Sequence, residues 1–134
     1  TSKSYTGQTV TDYTEDGHAV DLPMAVLVNA ESYSAAEFFA AALQELEAAR
    51  VVGEPTSGKG YFQITYPLSD GSAMAISSGE YFTPNGLSLA NVGITPDETV
   101  SLSDEAAYQL YLGGLAETDD VQLQAAIAWL EHGK

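Results

Sequence analysis

The amino-acid sequence predicts an α/β domain, because two apolar runs flank a helical pattern and a hairpin signal follows. Pro23–Asn29 and Arg50–Gly53 are apolar runs of strand length, and a helical pattern extends between them from Ser34 to about Glu47. Strand, helix and strand in this order form a βαβ unit, whose two strands are expected to be parallel. The later hairpin adds an antiparallel part to this unit.

The side-chain pattern supports each element of the βαβ unit. The first run is continuously apolar and ends in a polar residue, which is typical of a strand buried on both faces. In the helix, apolar side chains recur every three or four positions. They are Ala35, Phe38, Phe39, Ala42, Leu43 and Leu46. Ser34, followed three positions later by Glu37, forms a capping box that marks the start of the helix.

An antiparallel hairpin is predicted after the βαβ unit. Tyr61–Leu68 and Ser72–Phe82 are strand-like runs on either side of the turn signal at residues 69–71. Residues 83–86 predict another turn, and residues 93–97 predict a loop that ends the sheet region.

Two helices are predicted to close the chain, and the start of the chain is less regular. The helices cover about Asp104–Leu115 and about Asp119–His132. The capping candidates for the second helix are Thr118, Asp119 and Asp120. Residues 1–22 are polar and predict a weak hairpin or a weakly ordered lead-in.

Composition excludes several classes of function. The chain has 134 residues, 45% of them hydrophobic, which is enough for one folded domain with a core. A net charge of −15 argues against nucleic acid and anionic membrane surfaces as partners. The absence of cysteine excludes disulfides and thiol catalysis. No residues have the spacing of metal ligands, so neither a metal nor another cofactor is predicted. The chain begins at Thr1 without a signal-like segment, so we expect a piece of a longer protein.

Three polar residues have the chemistry of an acyl-transfer site. Ser34 opens the predicted helix, Lys59 lies between two glycines, and Gln63 follows four positions later. The chain has only four Lys and Arg residues, so an isolated lysine in a glycine-rich segment is a candidate for function. A hydroxyl, an uncharged amine that takes its proton and an orienting amide can form a Ser/Lys site. The N–H of Ala35, at the positive end of the helix dipole, would then be the first oxyanion donor.

Each of these residues also has a simpler interpretation. Ser34 can be a helix cap alone, which is the commoner role of a serine at this position. Lys59 can be a turn lysine, and Gln63 a strand residue that faces solvent. For Lys59 to act as a base, burial has to lower its pKa from about 10.4 by several units. The two histidines, His18 and His132, lie in segments typical of the surface, which argues against a Ser-His triad.

Four segments, in order and in register, resemble the C-terminal processing peptidases, also called tail-specific proteases. The segments are VLVN at 26–29 with SYSAAE at 32–37, VVGEPTSGKG at 51–60, PLSDGS at 67–72, and YFTPNGLS at 81–88 with GITPD at 93–97. By this resemblance Ser34 aligns with the nucleophile, Lys59 with the general base and Gln63 with the residue that positions the lysine. It implies a serine endopeptidase that cleaves the C-terminal regions of protein substrates. The implied fold is a ββα-spiral related to the Clp protease and crotonase folds, incomplete at its N-terminal side.

The resemblance also shows departures beside the aligned positions. The family typically has Ala where Tyr33 stands, Ser where Ala36 stands, and an aromatic residue where Ser57 stands. These residues flank the aligned catalytic positions, so they bear on substrate preference more than on the chemistry.

Two parts typical of the family are missing from the sequence. One is a Gly-Gly segment upstream of the serine that supplies an oxyanion donor, and the other is a PDZ domain. We therefore expect residues 1–134 to be the C-terminal part of a peptidase domain, with its catalytic segments in 23–100 and helices in 101–134. We expect the parent protein to contain the upstream half of the peptidase domain and a PDZ domain. We expect this chain alone to have weak activity or none.

Three further expectations concern location, association and the competing function. Members of the family act outside the cytoplasm, which implies a periplasmic, cell-surface or secreted protein, of bacterial origin. Sheet edges left open could pair between copies, so a homodimer is expected. The alternative to a peptidase is a non-catalytic binding or scaffold domain on the same fold, in which Ser34 is only a helix cap.

Overall fold

The computed structural model describes residues 2–11, 17–18 and 22–132, which form two sheets and three helices. The strands are β1 Ser2–Ser4, β2 Thr9–Val10, β3 Ala25–Val28, β4 Arg50–Gly53, β5 Tyr61–Pro67, β6 Ala73–Tyr81 and β7 Glu98–Thr99. The helices are α1 Ala35–Glu45, α2 Asp104–Tyr111 and α3 Val121–His132. This mixture of parallel and antiparallel strands with helices agrees with the predicted α/β class.

The predicted βαβ unit is confirmed. Strands β3 and β4 pair in parallel, with Val26 opposite Val51 and Val28 opposite Gly53, and α1 connects them. Apolar side chains between α1 and this sheet form the core of the domain. The buried members are Val28, Ala40, Ala41, Val51, Leu89 and Ile94, with Val26 and Phe38 packed against them. This core fixes the start of α1 relative to the ends of β3 and β4.

The prediction that residues 93–97 end the sheet is wrong. Strand β7 follows that segment and extends the parallel sheet, with Val52 of β4 opposite Glu98. A strand of two residues is too short to produce an alternating pattern. It is held instead by distant contacts: the Val51 N–H donates to Asp97 at 2.8 Å, and the Val100 N–H donates to the Gly53 carbonyl at 2.9 Å.

The predicted hairpin is confirmed, and the start of the chain joins its sheet. Strands β5 and β6 are antiparallel, with Ile64 opposite Ile76. In the turn, the Ser72 hydroxyl and N–H donate to the Asp70 carboxylate, and these bonds lower the pKa of Asp70. Strands β1 and β2 form a second hairpin, and β1 pairs with β6, which gives the order β2-β1-β6-β5. Residues 12–16 and 19–21 of the lead-in lie outside the described residues.

The two C-terminal helices are shorter than predicted. Helix α2 ends at Tyr111, four residues before the predicted end, because Gly113 adopts φ 71° and terminates it. For α3, Asp120 is the residue that caps, and its carboxylate accepts the N–H groups of Gln122 and Leu123, both at 3.0 Å. Helix α3, with 12 residues, is the longest in the described ranges. None of the helices there has the length and apolar composition to cross a membrane.

Candidate active site

Ser34 lies in a strained turn between β3 and α1. Its backbone has φ 57° and ψ −121°, a conformation that favours glycine. Holding a residue other than glycine in such a region reduces the stability of the fold by on the order of 1–3 kcal/mol. Residues strained in this way concentrate at functional sites. Ser34 and Glu37 occupy the two ends of the predicted capping box, but only the Glu37 half is a firm hydrogen bond. The Ser34 side chain faces the backbone N–H of Glu37 but does not form a capping hydrogen bond with it.

Glu37 is fully buried and collects four hydrogen-bond donors. Its Oε2 atom accepts the N–H groups of Ser34 and Lys59, both at 2.9 Å. Its Oε1 atom accepts the Gly58 N–H at 2.7 Å and the Thr56 hydroxyl at 2.5 Å. A buried carboxylate is costly unless its oxygens are bonded, and here each oxygen accepts two donors. Glu37 therefore connects the start of α1 to the loop that follows β4.

The shared oxygen of Glu37 brings the candidate nucleophile and the candidate base together. Because the N–H groups of Ser34 and Lys59 lie at 2.9 Å from the same atom, their nitrogens are no more than twice that distance apart. The glycines on either side of Lys59 let this loop pack closely against residues 89–93. Gly58 has φ 80°, and a side chain at Gly60 would collide with the backbone of Ala90. The Gly-Lys-Gly pattern thus has a packing reason in addition to any catalytic one.

The Lys59 side chain is exposed and lies over an aromatic ring. Its Nζ atom is 5.1 Å from the centroid of the Tyr33 ring. Among the described residues, no hydrogen bond joins this amine to the Ser34 hydroxyl, and no carboxylate forms an ion pair with it. To act as a base, the amine has to leave the ring and reach the hydroxyl.

Gln63 lies on β5, next to a bulge between Phe62 and Gln63, and is exposed. Its side-chain amide donates to the Tyr61 carbonyl and to the Ser77 hydroxyl, both at 3.2 Å. These bonds hold the amide within its own hairpin, and none of them reaches Lys59. Its role in orienting the lysine stays a prediction.

A cavity of about 870 Å³ opens beside Ser34. Ser34 and Ala35 lie on its wall, and apolar side chains from α1 and from the end of β6 line much of the rest. These side chains are Phe38, Ala42, Tyr81, Phe82 and Pro84. As the first residue of α1, Ala35 has an N–H without a partner inside the helix, so this N–H can donate to a bound oxygen. The cavity can thus hold an apolar side chain next to a hydroxyl and a free donor.

Sequence reasoning found Glu37 only as a capping residue and missed its wider role. The capping-box spacing was a correct signal for the bond to Ser34. The hydrogen bonds to Thr56, Gly58 and Lys59 span 19 to 22 residues, so no local sequence pattern predicts them. The ring contact between Tyr33 and Lys59 was likewise missed. Within the described ranges, no cluster of His, Asp and Glu has the arrangement of a metal site.

Comparisons with known proteins identify the family of this chain. The chain matches the model of Peptidase family S41 over residues 1–100. It is 38% identical, over 122 residues, to a carboxyl-terminal-processing protease of Synechocystis, covering 90% of this chain and 27% of that protein. It is 43% identical to carboxyl-terminal-processing peptidase 2, chloroplastic, of Arabidopsis thaliana, covering 72% of this chain and 20% of that protein. The chain therefore spans about a quarter of the length of these relatives.

A solved structure gives the same result for the fold. The photosystem II D1 C-terminal processing protease superposes with a TM-score of 0.58 and 35% identity, over 75% of this chain and 26% of that one. The fold expected from the resemblance, related to the Clp protease and crotonase folds, is thereby confirmed. Because the matched residues 1–100 include Ser34, Ala35, Lys59 and Gln63, the family match covers the whole candidate site. The chain belongs to peptidase family S41.

Proposed function

We propose that this chain carries the catalytic side chains of a serine endopeptidase with a Ser/Lys dyad. Ser34 is the nucleophile, Lys59 is the general base, Gln63 orients the lysine and the Ala35 N–H is an oxyanion donor. The observation that carries the proposal is the single Glu37 oxygen that accepts the N–H groups of both Ser34 and Lys59. The strained backbone of Ser34 and the cavity beside it support the same roles.

The proposed reaction proceeds through an acyl-enzyme. The Ser34 Oγ attacks the carbonyl carbon of the scissile peptide bond, and its proton moves to the uncharged Lys59 amine. The developing oxyanion accepts a hydrogen bond from the Ala35 N–H, which lies at the positive end of the α1 dipole. The carbon–nitrogen bond then breaks, and Lys59 gives its proton to the leaving amine. Water attacks the ester, Lys59 takes a proton from it and returns that proton to Ser34, and a carboxylic acid product is released.

The proposed substrates are polypeptides cut near their C-termini. The relatives at 38% and 43% identity are named for carboxyl-terminal processing, which supports this class. The apolar wall of the cavity supports a preference for an apolar side chain beside the scissile bond. We also propose a location outside the cytoplasm, which rests on the family resemblance of the sequence.

Full activity is proposed to need residues outside this chain. A tetrahedral intermediate is normally held by two oxyanion donors, and in the part of the chain that the structure describes the Ala35 N–H is the one candidate. The upstream half of a peptidase domain and a PDZ domain would supply a second donor and a surface for the substrate. The 134-residue chain alone is therefore expected to hydrolyse peptides weakly or not at all.

Trapping of the acyl-enzyme tests the proposed nucleophile. The natural full-length protein is mixed with an N-acetylated apolar amino acid p-nitrophenyl ester, quenched in acid and digested, and the acyl group is located by mass spectrometry. We expect the acyl mass on Ser34, its loss in Ser34→Ala and its retention in Ser32→Ala, the neighbouring serine. Labelling that survives in Ser34→Ala would exclude this nucleophile. A protein that binds peptides but neither labels nor hydrolyses them would be the non-catalytic scaffold.

Pairing between copies through strand β5 is the proposed mode of association for the chain alone. β5 is one of the two outer strands in the described sheet order β2-β1-β6-β5, and Ile64 and Ile76 are 43% and 42% exposed on the paired strands β5 and β6. We expect sedimentation velocity to show a dimer that Ile64→Lys converts to monomer, since edge charges block strand pairing. Leu46→Lys, at a leucine just after α1 that is 66% exposed, should leave the dimer intact. A wild-type chain that sediments as a monomer would contradict the proposal.

A further inference from the structure

The side chain directly before the candidate nucleophile contacts the candidate base. The Lys59 Nζ lies 5.1 Å from the centroid of the Tyr33 ring, within the roughly 6 Å over which a ring attracts a cation. Tyr33 is itself 54% exposed, so this ring is not needed to fill the core. The contact is therefore a surface contact beside Ser34.

Backbone bonds on both sides of the contact hold the two residues in place. After Tyr33, the N–H of Ser34 shares the Glu37 Oε2 atom with the N–H of Lys59. Before Tyr33, the carbonyl of Ser32 accepts the N–H of Ser57 at 3.2 Å. The two loops are thus joined on both sides of Tyr33, so the contact can change only through movement of the Tyr33 and Lys59 side chains.

The ring has no competitor for the ammonium group in the described part of the chain. Glu37, the carboxylate beneath the loop, already accepts two donors on each of its oxygens. No other carboxylate of the described residues forms an ion pair with Lys59, although the chain carries 19 acidic residues. An aromatic ring attracts an ammonium ion and not a neutral amine.

We propose that Tyr33 is a positioning residue that holds protonated Lys59 in a resting arrangement beside Ser34. The amine leaves the ring when it acts as the base, so the contact restrains turnover. This inference rests on the proposed function of Lys59. Contacts of this kind at exposed sites are weak, so loss of the ring should change the rate about 2- to 5-fold.

Kinetics and NMR of the natural full-length protein test this role together. In Tyr33→Leu we expect kcat to rise about 2- to 5-fold with KM unchanged, because the resting arrangement loses its stabilisation. Tyr33→Phe, which keeps the ring, should behave like the wild type. The Lys59 side-chain protons should show an upfield ring-current shift in the wild type and in Tyr33→Phe, and lose it in Tyr33→Leu. Tyr111→Leu, at an 85% exposed tyrosine of α2, is the matched control.

The outcomes separate this inference from the proposed function. A fall in kcat in Tyr33→Leu, or Lys59 proton shifts that do not change in that variant, would overturn the role of Tyr33 while leaving the dyad in place. Retained hydrolysis in Lys59→Ala would overturn the dyad, and with it the role of Tyr33, even if the ring-current shift is observed.

Discussion

Replacement of Lys59 by alanine is expected to lower kcat/KM for peptide hydrolysis by about 10²- to 10⁴-fold, the usual contribution of a general base. The loss should be mainly in kcat, because the amine acts on the Ser34 proton in the transition state and not on the bound peptide. The fold should persist, since Lys59 contacts Glu37 through its backbone N–H and not through its side chain. The measurement is steady-state hydrolysis of an unstructured, fluorescently labelled polypeptide by the natural full-length protein.

A charge-preserving variant separates a base from a merely cationic residue at this position. Lys59→Arg keeps a cation that can still lie over the Tyr33 ring, but a guanidinium does not give up its proton in proteins. It should therefore be as inactive as Lys59→Ala. Lys3→Ala, at an exposed lysine of β1, is the matched control and should keep wild-type activity. Substantial activity in Lys59→Arg would exclude proton transfer by this side chain.

Replacement of Glu37 by glutamine is expected to reduce both stability and activity, although the two side chains have nearly the same shape. An amide has one acceptor oxygen, so two of the four donors around Glu37 would face an NH₂ group. Buried donors without partners cost about 1–3 kcal/mol each, so the loss of two acceptors should lower the free energy of unfolding by about 2–6 kcal/mol. Activity should fall by about 10²-fold, because either orientation of the amide weakens the link between the start of α1 and residues 56–59 and so displaces Ser34 relative to Lys59.

Urea denaturation and hydrolysis assays on the same preparations test both parts of this expectation. Glu47→Gln removes an exposed carboxylate just beyond the end of α1 and is the control for the lost charge. That variant should change the free energy of unfolding by no more than about 0.5 kcal/mol. If Glu37→Gln is as stable and as active as Glu47→Gln, Glu37 does not organise the site.

Most of the elements could be predicted from the sequence because their determinants lie within a few residues. The capping box between Ser34 and Glu37 and the helix cap at Asp120 are formed by neighbours in the chain. The turn at Asp70 likewise depends on its neighbour Ser72. Strand β7 could not be predicted, since the bond from Val51 to Asp97 that positions it crosses 46 residues.

The candidate site was predictable in its residues but not in its arrangement. Motifs in register with a known family pointed to Ser34, Lys59 and Gln63, whereas the local pattern at Ser34 alone favoured a helix cap. No spacing in the chain indicated that Lys59 would lie over the Tyr33 ring, or that the Gln63 amide would bond within its own hairpin.

Local sequence thus specified the three helices and most of the strands, but not β7, and it indicated which side chains could perform acyl transfer. The tertiary structure alone placed the backbone of Ser34 beside that of Lys59. The physical reason is the burial of Glu37: a carboxylate removed from water must find donors, and three of its four donors come from residues 56–59. Those donors reach the Glu37 carboxylate only after β3, α1 and β4 have packed together, so no local sequence pattern predicts the arrangement.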